Sequence, residues 1–359
     1  MMDYVARLRA LRRKMSEQKV EAMLITALPD VRYLCGFTGS NAALVVSGRR
    51  ATLYTDGRYT TQAKEETSGA RVVIAAKSAL KEACTALGKL GVSHAFFDPS
   101  CTTVAQLAVM KKEVRGGFFV PAKRAMVGEL RERKDAAEIA LMERAAQLGC
   151  DVFDKLLPKI ESGVSEMEIA AELEYLARKM GAEAMSFETI VASGSRSALP
   201  HGRATEQKLP ANGFITLDFG VILNGYCSDM TRTVHLGEVS RAEREAYDAV
   251  LEAQQAGVSA VRPGATCDEV DEAARSVLKA AGLAKFFTHS TGHGVGLEIH
   301  ETPRLAQGQQ QVLEPGMVVT IEPGIYIAGR YGIRIEDMVL VTEDGGRILT
   351  PASKALIEL

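Results

Sequence analysis

Gly163-Val164-Ser165-Glu166-Met167-Glu168-Ile169 returns, altered but in the same order, as Gly264-Ala265-Thr266-Cys267-Asp268-Glu269-Val270. Each stretch sets a glycine, then Ser or Thr, then Glu three residues further on. That spacing is a capping box, so each copy opens a helix. Beyond each helix comes a histidine in an extended stretch, His201 and His300. An acidic residue inside an apolar strand follows, Asp218 and Glu322, and then a second acid on the next strand, Asp229 and Glu336. Capping boxes are common and one coincidence would mean little. Four features in the same order predict a pseudo-twofold domain whose halves each bring two carboxylates to a central site.

Asp218 lies in Phe214-Ile215-Thr216-Leu217-Asp218-Phe219-Gly220, where a charge is costly unless it is paired or binds a cation. Leu223-Asn224-Gly225-Tyr226 is a two-residue hairpin signal. With Asn224-Gly225 as the turn, 223 faces 226 and 218 faces 231. Strand alternation then puts Asp229 on the same sheet face as Asp218, one diagonal step away. Two like charges so placed repel each other unless a cation lies between them. Glu322 ends the apolar run Met317-Val318-Val319-Thr320-Ile321, and 332–339 reads as the return strand. Period two puts Arg334 and Glu336 on one face and Asp337 on the other, which predicts a ligand role for Glu336 and none for Asp337.

Three of the six histidines fall in Thr288-His289-Ser290-Thr291-Gly292-His293-Gly294-Val295-Gly296-Leu297-Glu298-Ile299-His300. The spacing of His289 and His293 would suit a zinc-binding helix, but glycines at 292, 294 and 296 argue against any helix. A glycine-rich extended segment instead lets backbone and imidazoles crowd round a ligand. His94 and His235 keep the structural reading. Asp218, Asp229, His293, Glu322 and Glu336 together supply four carboxylates and one imidazole, a charge that balances two divalent cations. Hard oxygen donors favour manganese, with cobalt, iron or zinc possible. Two such ions activate a shared water and polarise a carbonyl, which is the chemistry of hydrolysis.

Outward from this core, the first third alternates helix and strand. Val5, Leu8, Leu11 and Met15 recur at helical spacing, and residues 22–25 read as a buried strand. Residues 42–46 and 51–55 flank a hairpin, helical stretches lie near 59–66, 79–90 and 103–113, and short strands lie at 71–75 and 95–97. That is a small α/β domain over 1–126. The second domain, 127–359, begins before a capping box at Asp135-Ala136-Ala137-Glu138 and a long helix to about 157. A net charge of −2, from 43 basic and 45 acidic residues, gives no nucleic-acid footprint. No run approaches a membrane span, the N-terminus has no apolar signal core, and six scattered cysteines read as reduced thiols. A cytoplasmic protein is expected.

At these residues the sequence resembles the pita-bread metallopeptidases: methionine aminopeptidase, aminopeptidase P and prolidase. The family's ordered ligands D, D, H, E, E match Asp218, Asp229, His293, Glu322 and Glu336, and its flanking histidines match His201, His289 and His300. Tyr33-Leu34-Cys35-Gly36-Phe37-Thr38-Gly39-Ser40 and Thr55-Asp56-Gly57-Arg58-Tyr59 resemble the creatinase-type N-terminal domain of aminopeptidase P and prolidase. The resemblance implies an α/β creatinase-like domain before an α+β pita-bread catalytic domain with a pseudo-twofold repeat. It also implies that Asp218 chelates one metal, that His293 and Glu322 bind the other, and that Asp229 and Glu336 bridge. Glu322 would shuttle the proton to the leaving nitrogen. His201, His289 and His300 would orient substrate carbonyls and stabilise the oxyanion, and Arg334 would brace the carboxylates.

The implied activity is removal of the residue before proline from short proline-containing peptides, by a homodimer. The short, glycine-bearing connection 323–332 suggests an open leaving-group side, hence aminopeptidase P. The alternative is an Xaa-Pro dipeptidase with Arg330 anchoring the proline carboxylate. An inactive peptide-binding module of the same fold is the rival class, against which the intact ligand set argues.

Overall fold

The computed structural model describes residues 2–114 and 116–359. The chain divides into two compact units after Arg131. The first unit runs α1 (Tyr4–Glu17), β1 (Ala22–Ile25), α2 (Leu28–Cys35), β2 (Ala42–Ser47), β3 (Ala51–Thr55), α3 (Gln62–Glu66) and β4 (Arg71–Ile74). It continues with α4 (Ala79–Gly88), β5 (Ala95–Phe97), α5 (Val104–Glu113), β6 (Phe119–Pro121) and α6 (Met126–Arg131). Its six strands form one mixed sheet in the order β4-β3-β2-β1-β5-β6. β1 is buried along its whole length, as its unbroken apolar run requires. α1 buries Leu8, Leu11 and Met15 on one stripe, while Val5 from the same periodic set lies on the outside.

Two elements here carry no periodic signal. α2 is eight residues long and ends at Gly36, whose φ of +87° is left-handed and whose added Cβ would lie 2.8 Å from the Glu66 carbonyl oxygen. α6 covers the stretch expected at the head of the second domain. The structure keeps it in the first unit, where buried Arg131 donates to Asp30 at 2.7 Å and the Tyr33 hydroxyl donates to the Leu130 carbonyl.

The second unit contains α7 (Ala136–Leu156), α8 (Glu166–Lys179), β7 (Ala184–Met185), β8 (Ile190–Ser193), β9 (Gly213–Phe219), β10 (Val221–Leu223), β11 (Tyr226–Cys227) and β12 (Met230–Leu236). Then come α9 (Arg241–Ala260), α10 (Cys267–Ala280), β13 (Gly292–Gly294), β14 (Glu301–Leu305), β15 (Val318–Ile321), β16 (Gly324–Ile327), β17 (Tyr331–Arg334), β18 (Asp337–Val341) and β19 (Gly346–Ile348). Both repeated capping boxes are present, Ser165 with Glu168 and Thr266 with Glu269. Each half then builds an antiparallel sheet on a central strand: β12-β9-β8 in one, and β18-β15-β13, extended by β19 and β14, in the other.

The register matches the hairpin reading. Leu223 faces Tyr226 and Asp218 faces Thr231. Between these pairs the chain kinks at Gly220, where an added Cβ would lie 1.8 Å from the Ser228 carbonyl oxygen, so only glycine lets the strands close there. Apolar side chains of α7 and α8 pack against β9 and β12 through Phe153, Leu173, Ile215, Leu217 and Val234. No described helix is long and apolar enough to cross a membrane. Five of the six free cysteines are buried.

Candidate active site

Strand ends supply the site. Asp218 is the penultimate residue of β9, and Asp229 immediately precedes β12. His293 is the centre of β13, Glu322 follows the last residue of β15, and Glu336 precedes β18. These five line one cavity of about 730 Å³ together with His201, His289, His300 and Arg334, so all nine residues singled out from the sequence meet in one place.

Asp218, Asp229 and Glu336 are each less than a tenth exposed. Such crowding works against ionisation. Burial, then the nearby Glu336, Asp218 and Glu322, pushes the Asp229 carboxyl well above the usual carboxylate range. Burial, then Glu322 and Asp218, does the same to Glu336. Burial lifts Glu322 to about 8 and drops His293 to about 4, so the imidazole is neutral and able to ligate. Its Nε2 lies 3.6 Å from Asp229 Oδ2 and 3.5 Å from Glu322 Oε1, and its Nδ1 faces the Gly294 carbonyl at 3.0 Å. Donor atoms of Asp229, His293 and Glu336 lie within 4.8 Å of one another. Asp218 Oδ1 is buried and has no hydrogen-bond partner. An orphaned carboxylate oxygen beside a triangle of oxygen and imidazole donors fits divalent cations.

Arg334 braces this cluster from behind. Its guanidinium donates to Asp218 Oδ2 at 2.6 Å, to Thr231 Oγ1 at 3.1 Å, to the Tyr326 hydroxyl at 2.6 Å and to the Pro200 carbonyl at 3.1 Å. The Thr231 hydroxyl in turn donates to Glu336 Oε2 at 2.7 Å. Burial opposes the charge on Arg334, but Tyr326, Asp218 and Glu322 hold its pKa well above the ordinary value. Asp337 turns away, as alternation requires, and accepts from Arg232 at 2.8 Å and Gln254 at 2.9 Å.

The histidines differ in a way the sequence does not show. Nδ1 of His289 faces the Ser290 carbonyl at 2.8 Å and so carries the proton. Its Nε2 then accepts from Tyr326, 2.9 Å away, whose oxygen is itself receiving from Arg334. Both nitrogens are engaged, and the substrate-facing N–H expected of His289 is not on offer. His201 and His300 are exposed to the cavity. His235 is fully buried against Phe214, in keeping with its structural reading.

Three contributors escape the sequence reading. Thr231 could have been found, since the hairpin register already sets it opposite Asp218. Tyr326 stands two residues from Gly324, the partner of Arg334, so pairing of the last hairpin would have pointed to it. Arg304 lines the cavity as the cross-strand partner of His293, across a bulge that no sequence signal announces. Arg330, the alternative carboxylate anchor, sits instead at the exposed β16–β17 turn over the Tyr331 ring and does not line the cavity.

A buried cluster of four carboxylates and one imidazole, on the facing strands of a two-fold repeated domain, defines a metal-dependent hydrolase. Residues 140–343 match the model of metallopeptidase family M24, and residues 7–132 match the creatinase/prolidase N-terminal domain. The chain belongs to that family, the pita-bread metallopeptidases, and is a metallo-exopeptidase. It is 35% identical over 344 residues to the Xaa-Pro dipeptidase of Pyrococcus horikoshii, covering 96% of each chain. The solved Xaa-Pro dipeptidase from Bacillus anthracis superposes with a TM-score of 0.96 at 41% identity, covering 99% of this chain and 100% of that one. The X-Pro aminopeptidase structure from Thermotoga maritima gives 0.88 at 35%, covering 96% and 99%.

Proposed function

We propose that the chain is an Xaa-Pro dipeptidase, a prolidase, which splits a dipeptide at the bond before its C-terminal proline. One observation carries the reading: a cationic side chain without a carboxylate partner stands beside the candidate metal cluster. Arg304 lies directly across from His293 in the β13–β14 pair and lines the cavity, and among the described residues no ion pair includes it. Side chains opposite one another in such a pair lie about 5 Å apart at Cβ. A free proline carboxylate next to the scissile bond is the group that position suits. The names of the Pyrococcus horikoshii and Bacillus anthracis relatives agree with this choice. The aminopeptidase P preference expected from the 323–332 connection gives way to these relatives; the connection itself is the tight β16–β17 hairpin and contributes no lining residue to the cavity.

In this reading Asp218, Asp229, His293, Glu322 and Glu336 hold two divalent cations, manganese above all for a set so rich in carboxylate oxygen. Those ions, when bound, supply an acidified water and a polarised carbonyl. Glu322 is more open than either aspartate of the set, its side chain 19% exposed against 12% for Asp218 and 5% for Asp229. It takes the proton from the attacking water and returns it to the proline nitrogen as the C–N bond breaks. His201 and His300 donate to the carbonyl oxygen as it gains charge. Arg334 and Tyr326 fix Asp218 and His289 and do not touch substrate. A homodimer, carried over from the family resemblance, completes the proposal.

The test compares Ala-Pro with Ala-Pro-Ala on manganese-loaded protein. Higher kcat/KM for Ala-Pro, with the preference lost in Arg304→Gln, is the expected outcome. Faster cleavage of Ala-Pro-Ala would return the reading to aminopeptidase P.

A further inference from the structure

Besides Arg334 and Arg304 the cavity holds a third arginine, Arg203, and its circumstances are the reverse of those of Arg304. Arg203 Nη2 lies 2.8 Å from Glu188 Oε2, and both residues line the cavity. Their side chains are 74% and 60% exposed. An ion pair so open to water holds its members only weakly. The backbone beneath Arg203 is firmly held, however. Its N–H donates to the His201 carbonyl at 2.9 Å, its carbonyl accepts from Arg196 at 2.7 Å, and it forms an antiparallel bridge with Ile190. Arg196 is itself anchored on Glu166, a fully buried carboxylate, at 3.0 Å. The result is a rigid base carrying a guanidinium whose one ionic partner is easily displaced.

Its position relative to the reacting centre follows from the strand register. Ile190 faces Arg203 on one side and Asp218 on the other, so Arg203 stands two strand spacings, about 10 Å, from the Asp218 backbone. That distance suits the tip of a substrate side chain and exceeds the reach of a scissile carbonyl. Arg304 belongs to the other half's sheet, beside His293. If the proline carboxylate goes to Arg304, as the dipeptidase reading on which this inference rests requires, the first residue of the dipeptide points toward the wall of Phe187, Glu188, Ile190 and Arg203. Phe187 and Ile190 offer an apolar surface for the stem of that side chain, and the Glu188–Arg203 pair meets its end.

We propose that the Glu188–Arg203 pair determines the charge preference for the N-terminal residue of the substrate. An acidic side chain displaces Glu188 and takes Arg203, while a basic one displaces Arg203 and takes Glu188. The pair thus lets one wall accept either sign, and neither sign is favoured strongly while both partners are present.

The experiment measures kcat/KM for Glu-Pro, Ala-Pro and Arg-Pro on the manganese-loaded chain and on the variants Glu188→Gln and Arg203→Gln. Calorimetric binding of the reduced-amide analogues of Glu-Pro and Arg-Pro accompanies the kinetics. In Glu188→Gln the Glu-Pro to Arg-Pro ratio should rise about threefold or more, and in Arg203→Gln it should fall by a similar factor, in both measurements. Ratios that stay put in either variant, or move in the same direction in both, overturn the proposal. Ala-Pro keeps the two readings apart: its rate against Ala-Pro-Ala on the unaltered chain tests the dipeptidase reading, and the ratios test the pair.

Discussion

His201 and His300 face the cavity, whereas His289 spends one nitrogen on the Ser290 carbonyl and the other on Tyr326, so the three imidazoles must be lost at different cost. His201→Ala should bind metal normally and lose about 100–1000-fold in kcat, the usual consequence of deleting one donor to a developing oxyanion. Near-normal turnover would remove His201 from the catalytic group. The neighbouring acids make a sharper pair. Asp229→Ala should lose metal, since its carboxylate shares one small volume with His293 and Glu336. Asp337→Asn should keep its full metal content and lose stability of about 3 kcal/mol or more, because it leaves buried Arg232 and Lys354 without their anion. Metal analysis and thermal melting read both, and loss of metal in folded Asp337→Asn would contradict the strand assignment. The five candidate ligands were legible because a charge inside an apolar strand is costly unless a cation or a counter-charge meets it. The difference among the histidines was not, since it depends on the tyrosine brought up by the β16–β17 hairpin.

At the scale of the elements, the site is a meeting of strand ends, and its electrostatics follow from that convergence. Glu322 has a folded value of about 8 against an ordinary 4.5, and Asp229 and Glu336 are displaced in the same direction. For such acids the metal-free folded state binds the proton more tightly than the unfolded state does. The stability they contribute is present below the ordinary value near 4.5 and is lost as pH rises toward about 8. Metal-stripped protein should therefore melt at progressively lower temperature across that range. Manganese should raise the melting temperature by an increment that grows with pH, because the ions bind the deprotonated carboxylates. An increment independent of pH would show that these carboxylates are not its ligands. The register behind this cluster was readable in advance: Asn224-Gly225 fixed the pairing of Asp218 with Thr231 through a kink at Gly220 that keeps the count intact. The bulge between His293 and Gly294 was not readable, and with it went the placement of Arg304.

At the scale of the whole molecule, one plan is used twice. A capped helix, a histidine stretch and two acid-bearing strands recur, and the sheets β12-β9-β8 and β18-β15-β13 are their products. The capping boxes revealed this because they mark helix starts by side-chain chemistry that survives when the apolar residues diverge. The short elements α2, β6 and α6 escaped because eight residues or fewer carry little periodicity. Convergence of both halves on one cluster is what the proposed two-metal hydrolysis rests on. The most direct measurement of that claim is proline release from Ala-Pro while manganese is titrated into metal-stripped protein. Release should be absent at the start and should rise until two equivalents per chain are bound. Undiminished release from the stripped protein would contradict the account.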